Sequence, residues 1–237
     1  MTCTLYLLPT QLGDIPWSVV LPARSQEIAC QLQYFIVENA KTARAALKWM
    51  GHPTPLREIF IEQLPEPLTH PAIEQLLTPL HAGHNVALMS EAGCPGVADP
   101  GALLIRRAHE CGIAVKPLVG PSSLLLALMA SGLDGQCFAF HGYLPAREPE
   151  RSKRIVELEK ESRHRQQTQL FIETPYRNLA LFDALLSACH PETLLCLACD
   201  LTLPSEAIAT HRITEWRHLT RPDLDRRPTV FLLLSAR

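Results

Sequence analysis

The segment Asn85-Val-Ala-Leu-Met-Ser-Glu-Ala-Gly-Cys-Pro-Gly-Val-Ala-Asp-Pro-Gly101 decides how the rest of the chain is read. Its apolar run, Val86 to Met89, predicts a short buried strand. Gly93, Pro95 and Gly96 punctuate the loop that follows. Asp99-Pro100 predicts an N-cap with proline at the first helical position, opening a helix over Ala102–Cys111. Gly112 stops that helix, and Ile113–Val119 predicts the next strand. Strand, glycine/proline loop, helix, strand is the repeating unit of a parallel α/β sheet. Ligands of such sheets sit at the carboxyl ends of the strands, where this loop lies. Small side chains and fixed backbone angles let a ligand approach the main-chain N–H and C=O groups. An ordinary connection would also use turn residues, but a helix cap alone does not need so many of them.

Upstream, Thr4–Leu8 predicts a first strand, Asp14–Pro22 an irregular stretch, Gln26–Leu32 a short helix and Tyr34–Glu38 a strand. Ala40–Met50 predicts a helix stopped by Gly51, Arg57–Glu62 a strand, and Pro71–His81 a helix stopped by Gly83. Five strands alternating with helices make a mostly parallel sheet. Downstream, Gly120-Pro-Ser-Ser123 leads into the apolar helix Leu124–Ser131, expected to be buried between sheets or at a subunit contact. Strands over Phe138–Leu144, Leu170–Glu173, Leu194–Cys199, Glu206–Arg212 and Thr229–Ser235 then alternate with a charged helix, Arg147–Arg165, and one from Thr174-Pro175 to Cys189. A short helix starts at Thr214. The expected organisation is two α/β domains, residues 1–119 and 120–237, hinged near Gly120.

With 237 residues, 47% of them hydrophobic, the chain can bury a proper core. Its net charge of −2 provides no global basic field for a nucleic acid, although a local patch would escape that argument. The start lacks the basic region of a secretory signal, and the longest apolar run, Leu124–Ala130, is too short for a bilayer. A soluble, cytoplasmic protein with no membrane partner is expected. Its eight cysteines are then expected as reduced thiols.

Several familiar signatures are missing or have plain structural readings. No G-x-G and no G-x-x-x-x-G-K-[ST] occurs, so neither common nucleotide loop is present. Cys196 and Cys199 sit in an apolar strand at a spacing that points them to opposite faces, which suits core cysteines better than a metal. His81 and His84 flank a helix end without partners at ligand spacing, so no metal is expected. Ser122 and Ser123 open a helix, where they can cap it, and a helix start is also a ligand site. Residues 147–165 hold seven Lys/Arg against five Glu. A solvated helix face is the default reading. The most basic part, Arg147, Arg151, Lys153 and Arg154, is the candidate for phosphate contacts.

Five stretches, in this order, resemble the tetrapyrrole methylase superfamily. They are Leu7-Leu-Pro-Thr10 with Gly13-Asp-Ile15, Ser90–Gly101, Val119-Gly-Pro-Ser-Ser123, Phe138-x-Phe-x-Gly-Tyr-Leu-Pro145 and Phe171-Ile-Glu-Thr-Pro-Tyr-Arg177. They are most similar to its bacterial ribosomal RNA 2′-O-methyltransferase branch, which modifies a cytidine ribose of the small subunit. The resemblance implies two α/β domains, S-adenosylmethionine in a cleft between them, and a homodimer. It places the cofactor against Pro9, Gly93, Cys94, Pro95, Val97, Ser122 and Ser123, and in the second domain against Glu173, Leu201 and Thr229. The chain departs from that branch at Asn39, where the branch carries an acidic residue, in the stretch Asp200–Glu206, and in ending at Arg237 without a small C-terminal extension.

Methyl transfer from a sulfonium is an in-line displacement, so the protein chiefly positions the acceptor and excludes water. A ribose hydroxyl also needs a proton acceptor. Glu38 or Lys41, beside Asn39 after the second strand, is the candidate, with a plain Glu38–Lys41 surface pair as the alternative. A methyltransferase acting on a tetrapyrrole or other small metabolite, and a non-enzymatic cofactor-binding dimer, stay open beside the RNA reading.

Overall fold

The computed structural model describes residues 3–236. The expectations resting on Met1, Thr2 and Arg237, a missing leader and a missing C-terminal extension, lie outside the described residues. Two compact units divide between Ser122 and Ser123, so Gly120, Pro121 and Ser122 belong to the first.

The first unit runs β1 (Thr4–Leu8), α1 (Trp17–Val20), α2 (Ala23–Gln31), β2 (Tyr34–Val37), α3 (Ala40–Trp49), β3 (Phe60–Gln63), α4 (His70–His81), β4 (Val86–Met89), α5 (Ala102–Glu110) and β5 (Ala114–Pro117). Its sheet has the order β3-β2-β4-β1-β5 with every pair parallel. Helices cover both faces, which is why β4 is buried at all four positions and reads as an unbroken apolar run. On one face Leu8, Phe35, Val37 and Met89 pack against Leu47 and Met50. On the other, Leu5, Ile36 and Leu88 meet Leu76, Leu77 and Leu80 of α4 and Leu104 of α5. From β1 the chain crosses to β2 on one side, and from β4 it crosses to β5 on the other. The loops after β1 and β4 therefore part in opposite directions from neighbouring strands, which defines a switch point.

The second unit runs α6 (Ser123–Ser131), β6 (Phe138–Tyr143), α7 (Glu150–Arg165), β7 (Thr168–Ile172), α8 (Asn178–Ala188), β8 (Leu194–Cys199), β9 (Ala207–Arg212), α9 (Ile213–Trp216) and β10 (Thr229–Leu234). Its sheet, β6-β7-β10-β8-β9, is parallel only between β6 and β7. Phe171, Phe231, Phe182 and Trp216 centre its core, with the Trp216 indole donating to the Leu195 carbonyl at 2.9 Å. Cys199 joins that core, while Cys196 is buried on the opposite face of β8. All eight cysteines are free thiols.

Five details differ from expectation. Trp17–Val20 forms a helical turn after Pro16, where an irregular stretch was expected. Arg57 and Glu58 lie in a 3-10 turn started by Pro55, whose φ of −54° is that of a proline ring, and the strand begins only at Phe60. Thr174-Pro175 likewise opens a 3-10 turn, Pro175–Arg177, before α8. Asp99 does not cap α5. The cap position belongs to Gly101 at φ +126°, where an added Cβ would lie 2.9 Å from Leu88 Cδ2. Finally, the apolar helix α6 is not sealed within its unit. It buries Ala127, Leu128 and Ser131 against β8, β9 and β10, while Leu125 and Met129 stay 53% and 80% exposed on the other side.

Candidate functional site

Each unit builds one rim of chemically unusual groups at the carboxyl ends of its central strands. In the first unit the rim stands at the switch point. Thr10, just beyond β1, donates its N–H to the Gly93 carbonyl at 2.9 Å, and Gly93 donates back to the Thr10 carbonyl at 3.3 Å. The Ser90 hydroxyl donates to the carbonyls of Ala92 and Gly93, and the Cys94 thiol to the Pro121 carbonyl at 3.3 Å. Pro9 is buried against Gly120, whose Cβ, if present, would lie 2.4 Å from Pro9 Cβ. Three segments distant in sequence, at Pro9-Thr10, Gly93–Pro95 and Gly120–Ser122, are thus locked together. Pro95 is buried and Val97 is 47% exposed.

Carboxylates gather beside this lock. Glu38, at the end of β2, accepts the Glu91 N–H at 3.0 Å. Burial pushes the Asp99 carboxyl up to about 6, and the negative charges of Glu38 and Glu91 add to the rise while the Ser90 hydroxyl opposes it. Burial, then the charge of Asp99, also raises the Cys94 thiol. Glu38 and Pro100 wall a groove of about 580 Å³ closed by Gln63, Leu64, Pro65 and Leu68. A second groove, of about 480 Å³, lies beside Tyr34 and Phe60 at the amino ends of β2 and β3.

Asn39 is occupied structurally. Its Oδ1 accepts the N–H groups of Lys41 and Thr42 at 2.9 and 3.3 Å and caps α3. Lys41 is exposed in the first turn of that helix, and no ion pair joins it to Glu38 among the described residues.

In the second unit β10 starts where β7 and β8 end, with Thr229 opposite Cys199 and Val230 opposite Ile172. This pairing brings Glu173, Asp200 and Thr229 to one edge, with buried Leu201 following. The Glu173 side chain is fully buried, and its Oε1 takes the Arg177 guanidinium at 2.7 Å and the Thr174 N–H at 2.6 Å. Asp200 and Thr202 have φ of +51° and +74°. The Asp200 carboxylate accepts from Arg227 and Ser205, each at 2.8 Å, and the Thr202 N–H donates to the Glu206 carboxylate at 2.7 Å. Asn178 donates to Thr229 Oγ1 at 3.4 Å and the Arg227 carbonyl at 2.7 Å. Three buried atoms on and around this edge, Glu173 Oε2, Asn178 Oδ1 and Thr202 Oγ1, have no hydrogen-bond partner among the described residues. In the first unit Gln11 Oε1 is in the same state. Such atoms are rare in folded proteins and mark places where a further polar group fits.

The basic patch is only partly free. Arg151 pairs with Glu148 at 2.9 Å, and Arg154 with Glu157 and Glu161. Arg147 and Lys153 are exposed and enter no ion pair among the described residues. Sequence reasoning missed Asp99 as a site residue, because Asp before Pro is also the pattern of a helix cap. It also missed Arg177, although Glu and Arg four residues apart after a strand is a readable pairing signal.

These rims can be set beside known proteins. The family model for tetrapyrrole (corrin/porphyrin) methylases matches residues 28–216. A solved structure, that of the methyltransferase CobJ, superposes with a TM-score of 0.63 over 99% of this chain and 94% of that one, at 18% identity. The chain belongs to the tetrapyrrole methylase family. Within it, similar relatives bear the name ribosomal RNA small subunit methyltransferase I. The protein of Xylella fastidiosa is 34% identical over 73% of this chain and 59% of its own length. That of Streptococcus pyogenes serotype M6 is 31% identical over 90% and 69%, and that of Escherichia coli O157:H7 is 29% identical over 97% and 76%. The chain therefore spans between about three-fifths and three-quarters of these relatives' lengths. No helix among the described residues is long and apolar enough to cross a membrane.

Proposed function

We propose that the protein is an S-adenosylmethionine-dependent methyltransferase that methylates the 2′-hydroxyl of a cytidine ribose in small-subunit ribosomal RNA. The observation that carries this reading is the first rim, a locked switch-point loop beside a groove walled by Glu38 and flanked by Asp99. The relatives' shared name supports small-subunit ribosomal RNA as the acceptor molecule.

The residues fit the cofactor. The fully buried Glu173 Oε2 has no donor among the described residues, and S-adenosylmethionine carries amine and hydroxyl donors. In this reading Pro9, Gly93, Cys94, Pro95, Val97, Ser122, Ser123, Glu173, Leu201 and Thr229 hold it. When bound, the cofactor supplies an electrophilic methyl group. The lock between Thr10 and Gly93 fixes the loop against which the donor rests, so little ordering remains to be done on binding. The groove beside Glu38 orients the ribose. Asp99, ionised at neutral pH yet more basic than an ordinary carboxylate, takes the hydroxyl proton, with Glu38 or Lys41 as the other acceptors. Asn39 acts by holding the start of α3 under that groove, and Arg147, Arg151, Lys153 and Arg154 lie on the face turned to RNA. The same reading makes the protein a homodimer, supported by the 80% exposure of Met129 on the apolar helix α6. Sedimentation at graded concentrations tests that part.

Calorimetric titration with S-adenosylmethionine, comparing wild type with Pro95→Ala and Ser122→Ala, tests the cofactor. Saturable binding weakened by both changes is expected. Transfer of labelled methyl groups to small ribosomal subunits tests the acceptor, and its absence from a protein that binds the cofactor would discard the RNA reading.

A further inference from the structure

The edge of the second sheet next to Glu173 carries side chains that packing does not use. Tyr143 ends β6 and pairs in register with Ile172 at the end of β7, yet it is 59% exposed. Four residues beyond Ile172, Tyr176 is 69% exposed. The Arg177 guanidinium lies 5.4 Å from the centre of the Tyr176 ring and is held at its Nε and NH2 by the buried Glu173 carboxylate at 3.0 and 2.7 Å. Tyr143 is close enough to Arg177 to act on its charge. Past Leu144 and Pro145 come Arg147 and Lys153, both exposed and outside any ion pair among the described residues. Glu150 offsets part of their charge, and Glu148 is taken up by Arg151.

Two open tyrosine rings, Tyr176 beside the anchored Arg177 cation and Tyr143 at the end of the neighbouring strand, are poorly explained by folding, since neither ring contributes to the core. They match what recognises unpaired bases, in which each base presents a face for stacking and the backbone meets cations. Because Glu173 holds Arg177 and also stands at the edge with Thr229, a strand lying on these rings would run beside the residues assigned to the cofactor. We propose that Tyr143, Tyr176 and the Arg177 guanidinium form a base-stacking platform for single-stranded RNA, with Arg147 and Lys153 meeting its phosphates. The proposal rests on the reading of the protein as an RNA methyltransferase and names the surface that would hold the acceptor strand.

The test uses the full chain and a fluorescent single-stranded RNA of mixed sequence, with binding read by anisotropy. Intact small subunits serve as the second ligand, and S-adenosylmethionine titration as the control for folding. Tyr143→Leu and Tyr176→Leu should each weaken RNA binding about tenfold. Tyr143→Phe and Tyr176→Phe should stay within about twofold of wild type, because a phenyl ring stacks as well. Lys153→Met should lower the salt slope by about one unit while changing affinity less. Cofactor affinity should not move in any of these variants. RNA affinity unchanged in both leucine variants would overturn the platform while leaving the enzymatic reading intact. Loss of binding to subunits but not to RNA would assign the tyrosines to a ribosomal protein instead, and would also overturn it. A wild-type protein that binds the cofactor but no RNA would bring down the acceptor reading and this inference together.

Discussion

The two sheets reach a working edge by opposite means. The first is parallel throughout, and its rim arises because the crossovers after the neighbouring strands β1 and β4 leave to opposite sides. The second is mainly antiparallel, and its rim arises because β10 enters where β7 and β8 leave. In the first, backbone groups do the holding, through the Thr10–Gly93 bridge and the contact of Gly120 with Pro9. In the second, side-chain charges do it, through Glu173–Arg177 and Asp200–Arg227. A backbone-built rim should be sensitive to the volume of a single methyl group and indifferent to salt. A charge-built rim should tolerate volume and respond to the removal of one partner.

Four experiments break or sharpen that contrast. The largest effect is expected from Gly120→Ala, whose Cβ would lie 2.4 Å from Pro9 Cβ and 2.9 Å from Leu21 Cδ2. Overpacking of this kind costs about 3 kcal/mol, read from denaturant midpoints, and should weaken the cofactor as well. Gly135→Ala, with nothing within 4 Å of its Cβ, is the matched control and should be near neutral. If both behave alike, the first rim is not held by close packing. Next comes Arg177→Met, which strips Glu173 of its cation. Because Arg177 is itself 32% exposed, the loss should be about 2 kcal/mol rather than that of a wholly buried pair. Adding Glu173→Gln should recover part of it, and no recovery would mean that Arg177 acts through something other than charge.

Asp99→Asn is expected to stabilise, which separates site residues from structural ones. A carboxyl raised to about 6 in the fold binds its proton more tightly there than in the unfolded chain. Its contribution is therefore fully present below about pH 4, declines as pH rises, and is gone above about pH 6. Above that range the asparagine variant should gain about 1 kcal/mol, a value discounted for partial exposure, while methyl transfer falls. A variant no more stable than wild type at pH 7 would refute the strained carboxylate. The smallest effect should follow Asn39→Ala, about 1 kcal/mol or slightly less from loss of the α3 cap. Asn39→Asp keeps a capping oxygen and should keep stability. A change in transfer rate with that variant would then report on the groove alone.

Buried strands were the most legible part of the sequence. Val86–Met89 and Leu194–Cys199 have the bounds expected for them, because an apolar run flanked by polar turns has few other homes. Strand partners were not legible: nothing in Thr229–Leu234 states that it lies antiparallel between β7 and β8. Asp99 was misread because local capping chemistry and a long-range carboxylate cluster call for the same residue type. Only the backbone at Gly101, turned to φ +126°, decides between them. The α6 helix shows another limit, since apolarity on all sides says that a helix should be covered but not by what. At the site, Pro9, Gly93, Cys94 and Ser122 fall on locked segments, and Glu173 with Thr229 on one edge. Arg151 and Arg154, candidates for phosphate contacts, are tied to glutamates, a pairing that depends on the turn of α7.

The Thr10–Gly93 bridge also bears on how such a chain can change in length. Two reciprocal backbone hydrogen bonds join loops more than eighty positions apart, so an inserted residue on either side of the joined pair shifts one register against the other. Both amides should exchange with solvent hydrogen as one event, since neither opens without the other. Length variation is then confined to loops that bear no such clasp, and the spacing from β1 to Thr10 and from β4 to Gly93 becomes as fixed a property of this protein as the identity of its buried residues.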